Sequence, residues 1–215
     1  VFQENGRTFN FSSRDGVRTG IQALERLFLQ HKTLACYSCG NIYRRQFLIG
    51  KQLFQREDIR LLEDHEWLPR VLLSADRVAA VEHPYYHYIR RPGSVTTALT
   101  DRGLEDIAGV VNSRLRMAVH IGNGPALLGG HALNAFFWYF FNPLYEDKFT
   151  FPVWRSKLEL LLGNPENRKN LFRLFRYASK AKQLALPWIL LARKGIRLPA
   201  NLDFRQFYYR FCIRK

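Results

Sequence analysis

Two stretches, GNGP (122–125) and GNPEN (163–167), cut the second half of the chain into pieces of helix length. Glycine, asparagine and proline interrupt regular backbone, and between the breaks apolar residues recur at helical intervals. The sequence therefore predicts helices over Leu104–Ile121, Ala126–Phe141, Val153–Leu162 and Asn167–Ala178. Helices of this length are marginal alone in water and must bury an apolar face against one another. An all-α region, 101–215, is expected.

The first hundred residues have a different texture. Ile21, Leu24, Leu27 and Phe28 mark one buried face of a helix over Arg18–Leu29, and TLACYSC (33–39) is rich in strand formers and ends at Gly40. A short helix, Arg44–Lys51, is expected to break at Gly50, and QLFQREDIRLL (52–62) reads as an irregular segment delivering Phe54, Ile59, Leu61 and Leu62 to the interior. A helix from Glu63 to Ala75 then carries Trp67, Leu68, Val71, Leu72 and Ala75 on one stripe, with Arg70, Ser74 and Asp76 facing away. Two short strands, Arg77–Glu82 and Tyr85–Arg90, follow around His83-Pro84. The fold class expected is α/β and helix-rich, with a mixed sheet and helices over 1–100 and the helical region over 101–215.

Of the 215 residues 47% are hydrophobic, yet no apolar run reaches the roughly 18 to 20 residues of a spanning helix. The longest candidates, Ala132–Phe141 and Ala185–Ala192, suit buried or interfacial helices, and a cytoplasmic protein is expected, peripheral to a membrane at most. Three cysteines, Cys36, Cys39 and Cys212, form no disulfide framework and fit a reducing compartment. The Cys36/Cys39 spacing admits a redox or half-zinc role, against which structural burial is the expectation. The net charge of +15 is concentrated late: Arg168–Lys215 holds thirteen Lys or Arg and one acid, Asp203. Such a block suits a polyanionic neighbour, either nucleic acid, an anionic membrane or a phosphate-bearing substrate.

The pair Glu63-Asp64 sits where an apolar approach, Leu61-Leu62, meets the start of a helix. A carboxylate fixed there can act as a general base if a hydroxyl reaches it; a helix-capping acid that favours the free amides and the dipole is the alternative. The same dipeptide recurs at Glu57-Asp58, Glu105-Asp106 and Glu146-Asp147, so only context distinguishes it. Further on, YYHYIRRPGS (85–94) ends in Arg90-Arg91 before a Pro-Gly turn, where paired guanidinium groups can grip phosphate or simply guard a solvated strand edge. No GxGxxG, GxxxxGK[ST], HExxH, GxSxG or Asp-x-Asp occurs in the chain.

From Gly40 to Thr97 the order of these pieces resembles the C-terminal half of the catalytic domain of family 2 glycosyltransferases, which have the GT-A fold. The matching elements are Ile42-Tyr43-Arg44-Arg45 with Phe47-Leu48, then Phe54, Glu63-Asp64 with Trp67, and Pro84-Tyr85-Tyr86-His87-Tyr88 with Arg90, Arg91 and Ser94. Asn41 stands where Lys is common, and His87 where a third Tyr or Phe is usual. The resemblance implies inverting transfer of a sugar from a nucleotide-sugar donor to a hydroxyl of a saccharide or lipid-linked acceptor, in polysaccharide or glycan biosynthesis. Asp64 would be the general base and Glu63 its positioning neighbour; Arg90, Arg91 and Ser94 would lie near the donor diphosphate, and Asn41 and His87 would contact substrate. The family implies a divalent cation, Mg or Mn, but its Asp-x-Asp ligand motif has no counterpart here, and no metal ligand is assigned.

Because the chain opens at Val1 in what reads as a strand and loop passage, upstream sequence carrying the donor-binding half is expected, and these residues alone are not expected to transfer sugar. The stretch NLFRLFRYASKAK (170–182), with Leu171, Leu174, Phe175 and Ala178 opposite Arg173, Arg176 and Lys180, suits either an anionic membrane surface or the solvated face of a packed helix. Nucleic acid is not the expected partner. The competing hypothesis is a noncatalytic module, nucleic-acid-binding through its basic, aromatic third or purely structural.

Overall fold

The computed structural model describes residues 2–4, 7–9, 17–26, 38–79, 100–119, 121–122, 124, 127–129, 132–133, 150–177, 183 and 185–196. The chain divides into two units, Val1–Ala98 and Leu99–Lys215. Among the described residues the chain is helix-rich, and its strands form two two-stranded antiparallel sheets.

In the first unit β1 (Phe2–Glu4) pairs with β2 (Arg7–Phe9), and β3 (Val17–Arg18) pairs with β4 (Val78–Ala79). Helix α1 (Gly20–Glu25) starts behind a capping box: the Thr19 hydroxyl accepts from the Gln22 amide, and the Gln22 side chain accepts from the Thr19 amide. Helix α2 (Arg45–Gly50) ends in a Schellman turn, with the Gln52 amide donating to the Ile49 carbonyl and the Leu53 amide to the Leu48 carbonyl. The reversal falls on Gln52 (φ 53°), two residues beyond Gly50, which closes the helix as its last residue.

That turn swings Leu53 inward, where Leu53, Trp67 and Val71 form a core against which Tyr43, Phe47 and Leu48 pack. Leu53, not Phe54, is thus the buried residue here, and Phe54 is 60% exposed. Successive side chains of an extended segment point to opposite sides, so burying one exposes the other. Both carbonyls remain tied to α3 (Glu63–Ser74): that of Leu53 accepts from the Trp67 indole at 2.9 Å, and that of Phe54 from Arg70 at 2.7 Å. Arg70 also holds buried Glu66 in a forked pair, with contacts of 2.8–3.2 Å. Ile59, Leu61 and Leu62 are buried as the pattern requires, together with Trp67, Leu68 and Val71; Leu72 and Ala75 are half-buried. Pro69 lies inside α3 and lacks the N–H that would reach the His65 carbonyl, but the helix continues through it.

Helix α1 packs on α3 at very short range. Leu24 is fully buried while Ile21 is exposed, because α1 meets the rest of the unit mainly through its Gly20–Leu24 edge. The Gly20 amide donates to the Ala75 carbonyl at 2.9 Å, and a Cβ at residue 20 would collide with the carbonyl oxygens of Leu72 and Ala75.

In the second unit α4 (Asp101–Ala118) packs against α5 (Phe151–Gly163) and α6 (Pro165–Phe175), and α7 (Ala185–Arg193) against α5. Asn164 links α5 to α6, its side chain accepting from the amides of Glu166 and Asn167. Residues 127–129 and 132–133 are helical too. The α6 stripe Leu171, Leu174 and Phe175 is buried, whereas Lys169, Arg173 and Arg176 are exposed. Among the described residues no helix is long and apolar enough to cross a membrane.

Replacing Gly20 by Ala should destabilise the first unit by about 3 kcal/mol, since backbone rather than a mobile side chain stands in the way. Chemical denaturation of the two proteins measures this, and an unchanged midpoint would contradict the packing.

Candidate functional site

Helix α3 begins abruptly. Leu62, directly before it, is in the left-handed region (φ 65°, ψ 27°), a conformation costing a non-glycine residue roughly 1 kcal/mol or more. Its side chain is nonetheless buried, and burial of a Leu, worth about 1.5–3 kcal/mol, is enough to hold the strained bend. The bend places Glu63 and Asp64 in the first helical turn with Glu66.

Asp64 is enclosed, its side chain only 17% exposed. The main-chain N–H groups of His65, Ser38 and Asp64 itself lie close to its carboxylate. Amides so placed, like a helix N-terminus, favour the charged form. Burial opposes them, and the negative charge of Glu63 adds to burial; together they prevail and raise Asp64 to about 7. The imidazole of His65, itself buried, approaches to 3.9 Å, too far for a hydrogen bond. The result is a carboxyl group that exchanges its proton near neutrality, whereas an ordinary helix-capping acid is ionised throughout that range.

The other copies of the dipeptide are differently placed. Asp58 is 64% exposed and grips Arg56 through two contacts of 2.5–2.9 Å. Asp106 is 2% exposed but faces Arg102 at 3.3 Å, and Glu105 pairs with the same arginine. Glu146-Asp147 lies outside the described residues. At Asp58 and Asp106 a guanidinium answers the carboxylate; at Asp64 the effects that raise it are desolvation and a neighbouring negative charge.

Ser38 comes from a loop ahead of α2. Gly40 turns that loop at φ 76°, the Asn41 side-chain Nδ2 donates to the Cys39 carbonyl at 3.4 Å, and the Tyr43 hydroxyl donates back to the Ser38 carbonyl at 3.3 Å. The loop bearing Asn41 is thereby brought to Asp64, with Asn41 exposed and engaged in closing the turn. Cys39 is a free, half-buried thiol. His87, Arg90, Arg91 and Ser94 lie outside the described residues, as do the strand Tyr85–Arg90 and Cys36 and Cys212. Ser38, Tyr43 and His65 were not legible as site residues: Ser38 acts through its main chain, which has no signature in sequence, and Tyr43 reaches the site through the tertiary fold. Only His65, adjacent to the pair, had a local signal.

The chain has no Asp-x-Asp, and among the described residues no three His, Cys, Asp or Glu side chains converge. Comparison with protein-family models, with curated proteins and with solved structures gave no match.

Two measurements follow from the Asp64 environment. Its carboxyl carbon should titrate with a midpoint near 7, and Glu63→Gln should lower that midpoint by removing the adjacent charge; a midpoint near 4 would contradict the burial. The linked stability has a definite sign. The unfolded chain releases this proton near 4 and the folded chain near 7, so the folded state holds more protons in between and stability falls as pH rises through that window. Asp64→Asn should therefore be the more stable protein at pH 8, by a few kcal/mol, since each tenfold change in proton affinity is worth about 1.4 kcal/mol, and it should show no gain at pH 3.

Proposed function

We propose that the first unit is the acceptor side of an inverting glycosyltransferase in which Asp64 is the general base. One observation carries this: a largely enclosed carboxylate at a strained loop-to-helix junction, which desolvation and the neighbouring charge of Glu63 push up to about 7. A base is most effective when its proton affinity lies near the working pH, and an isolated buried carboxylate is otherwise a cost to the fold.

In this reading an acceptor hydroxyl of a saccharide or lipid-linked acceptor reaches Asp64. Its oxygen attacks the anomeric carbon of the nucleotide sugar, its proton passes to the Asp64 carboxylate, and the C–O bond to the diphosphate breaks. The bonding pair leaves on the nucleoside diphosphate. Glu63 keeps Asp64 basic through its charge, and the main-chain amides beside Asp64 favour its charged form. Arg90, Arg91 and Ser94, by resemblance, would meet the leaving charge. No step is routed through a cation, for which the described residues supply no set of ligands. GT-A architecture, a peripheral cytoplasmic location and the contact with an anionic membrane belong to the same proposal.

The full-length protein should transfer sugar at a rate that rises with pH through about 7, where it is half-maximal, and levels above it. Asp64→Asn should reduce kcat by about 10²–10⁴-fold and leave donor binding intact. Near-normal turnover by that variant would remove Asp64 from the mechanism.

A second reading, a noncatalytic nucleic-acid-binding module, is favoured by the exposed row Lys169, Arg173 and Arg176, spaced to share one side of α6. It requires salt-sensitive binding of single-stranded nucleic acid that weakens when all three become Ala. A chain that fails to retain such nucleic acid at 50 mM salt excludes it.

A further inference from the structure

Around α2 the chain leaves large apolar side chains in water. Ile42 is 91% exposed, Ile49 45% and Phe54 60%. The inward side of the same segment is already occupied, since Tyr43, Phe47 and Leu48 pack on the core of Leu53, Trp67 and Val71. The outward residues therefore form a second apolar surface, not the edge of that core. One exposed apolar side chain is ordinary; three between residues 42 and 54, on a short helix and its two flanks, have the clustering that marks an interaction site.

The Schellman turn groups them. The Leu53 amide bonds to the Leu48 carbonyl and so holds residues 48 and 53 together on the inward side, while Ile49 and Phe54, each next in the chain, turn outward at that end of α2. Arg45, one helical turn before Ile49, shares its side and is exposed, as are Arg44 and Lys51. Among the described residues none of these three cations is in an ion pair; Arg44 donates to the Gln46 side chain at 3.5 Å. Residues 41–55 contain no acid.

We propose that this shoulder of the first unit docks on an anionic membrane surface. Arg44, Arg45 and Lys51 meet lipid phosphates, and Ile42, Ile49 and Phe54 enter between the headgroups. Like charge opposes a second copy of the chain, because the shoulder has three cations and no acid and the whole chain carries +15. Single-stranded nucleic acid could take the cations but recognises flat rings by stacking, and two of the three apolar residues are isoleucine. Hydrocarbon accepts all three. The shoulder also borders the candidate site: Tyr43, between Ile42 and Arg44, meets Trp67 in a T-shaped contact with centroids 4.9 Å apart, and Trp67 follows Asp64 by about one turn of α3. A lipid-linked acceptor would thus be met at the bilayer that anchors it, a consequence that rests on the glycosyltransferase reading; the docking itself does not.

The 215-residue chain should sediment with phosphatidylcholine vesicles that contain phosphatidylglycerol and not with phosphatidylcholine alone. Replacing Arg44, Arg45 and Lys51 together by Gln should weaken retention by about fivefold per cation. Replacing Ile42, Ile49 and Phe54 together by Ser should weaken it by about tenfold for each side chain that inserts, most visibly at raised salt, where charge is screened. All six residues are exposed, and an unchanged denaturation midpoint shows that each variant folds. In the unsubstituted chain a nitroxide-bearing lipid should broaden the amides of residues 42–54 ahead of those of α6. Undiminished retention of both variants, or loss only when Lys169, Arg173 and Arg176 become Gln, overturns the docking. So does capture of a single-stranded oligonucleotide in place of vesicles, or a concentration-dependent dimer that the Ser variant abolishes. Full transfer by Asp64→Asn would instead overturn the catalytic role of Asp64 and leave the vesicle measurements standing.

Discussion

The Trp67 indole joins three parts of the first unit. Its N–H takes the Leu53 carbonyl, which the Schellman turn after α2 has just turned inward; its ring meets Tyr43 in a T-shaped contact; and its backbone belongs to α3. A buried indole N–H without an acceptor would cost about 1–3 kcal/mol, so this bond fixes where residues 53–56 run as well as satisfying the ring. Arg70 repeats the device one turn later by tying Phe54's carbonyl and Glu66 together. With segment and loop both pinned to one helix, the first turn of α3 is walled in, and the enclosure of Asp64 follows. At the other end of the helix, Gly20 lets α1 approach to backbone contact with Leu72 and Ala75.

Asp64 is a place where local and global preferences diverge. Acids in the first turn of a helix normally gain from the free amides and the dipole, and here three main-chain amides close to the carboxylate add to that gain. Burial and Glu63 nevertheless prevail, because removing a carboxylate from water costs more than a few hydrogen bonds return. The strained Leu62 immediately upstream belongs to the same arrangement. Conflicts of this kind, held in place by the surrounding packing, gather at sites where chemistry rather than stability decides which residue stays.

The second unit is governed by simpler rules. Its helices bury Leu104, Ile107, Leu158, Leu162, Leu171 and Leu174, and a side-chain bond from Asn112 to Asn167 links α4 to α6 at 2.9 Å. At α7 the forked pair of Arg193 with Glu159 and the bond from Arg155 to the Arg193 carbonyl orient the helix on α5. The basic side chains Lys169, Arg173 and Arg176 remain at the surface because the apolar side of α6 faces inward. That packing removes Leu171, Leu174 and Phe175 from any membrane contact in this fold and leaves charge as the property α6 presents outward.

Periodicity alone located α3, with its Trp67, Leu68 and Val71 stripe and the acids at its start, and it located α4, α5 and α6 to within a few residues, because a helix buries one side at a fixed angular step. It erred where burial depends on the path between helices: Phe54 rather than Leu53 looked like the core residue, and Ile21 looked buried, since neither is set by its own segment. The four Glu-Asp pairs are equivalent as sequence. What separates Asp64 from Asp58 and Asp106 is solvent exclusion without an answering guanidinium among the described residues, and that depends on a loop twenty-six residues upstream folding back beside it. The sequence by itself determined that a carboxylate would open this helix; only the tertiary structure decided that it would be largely enclosed, because desolvation is a property of the neighbours that enclose a group and not of the group.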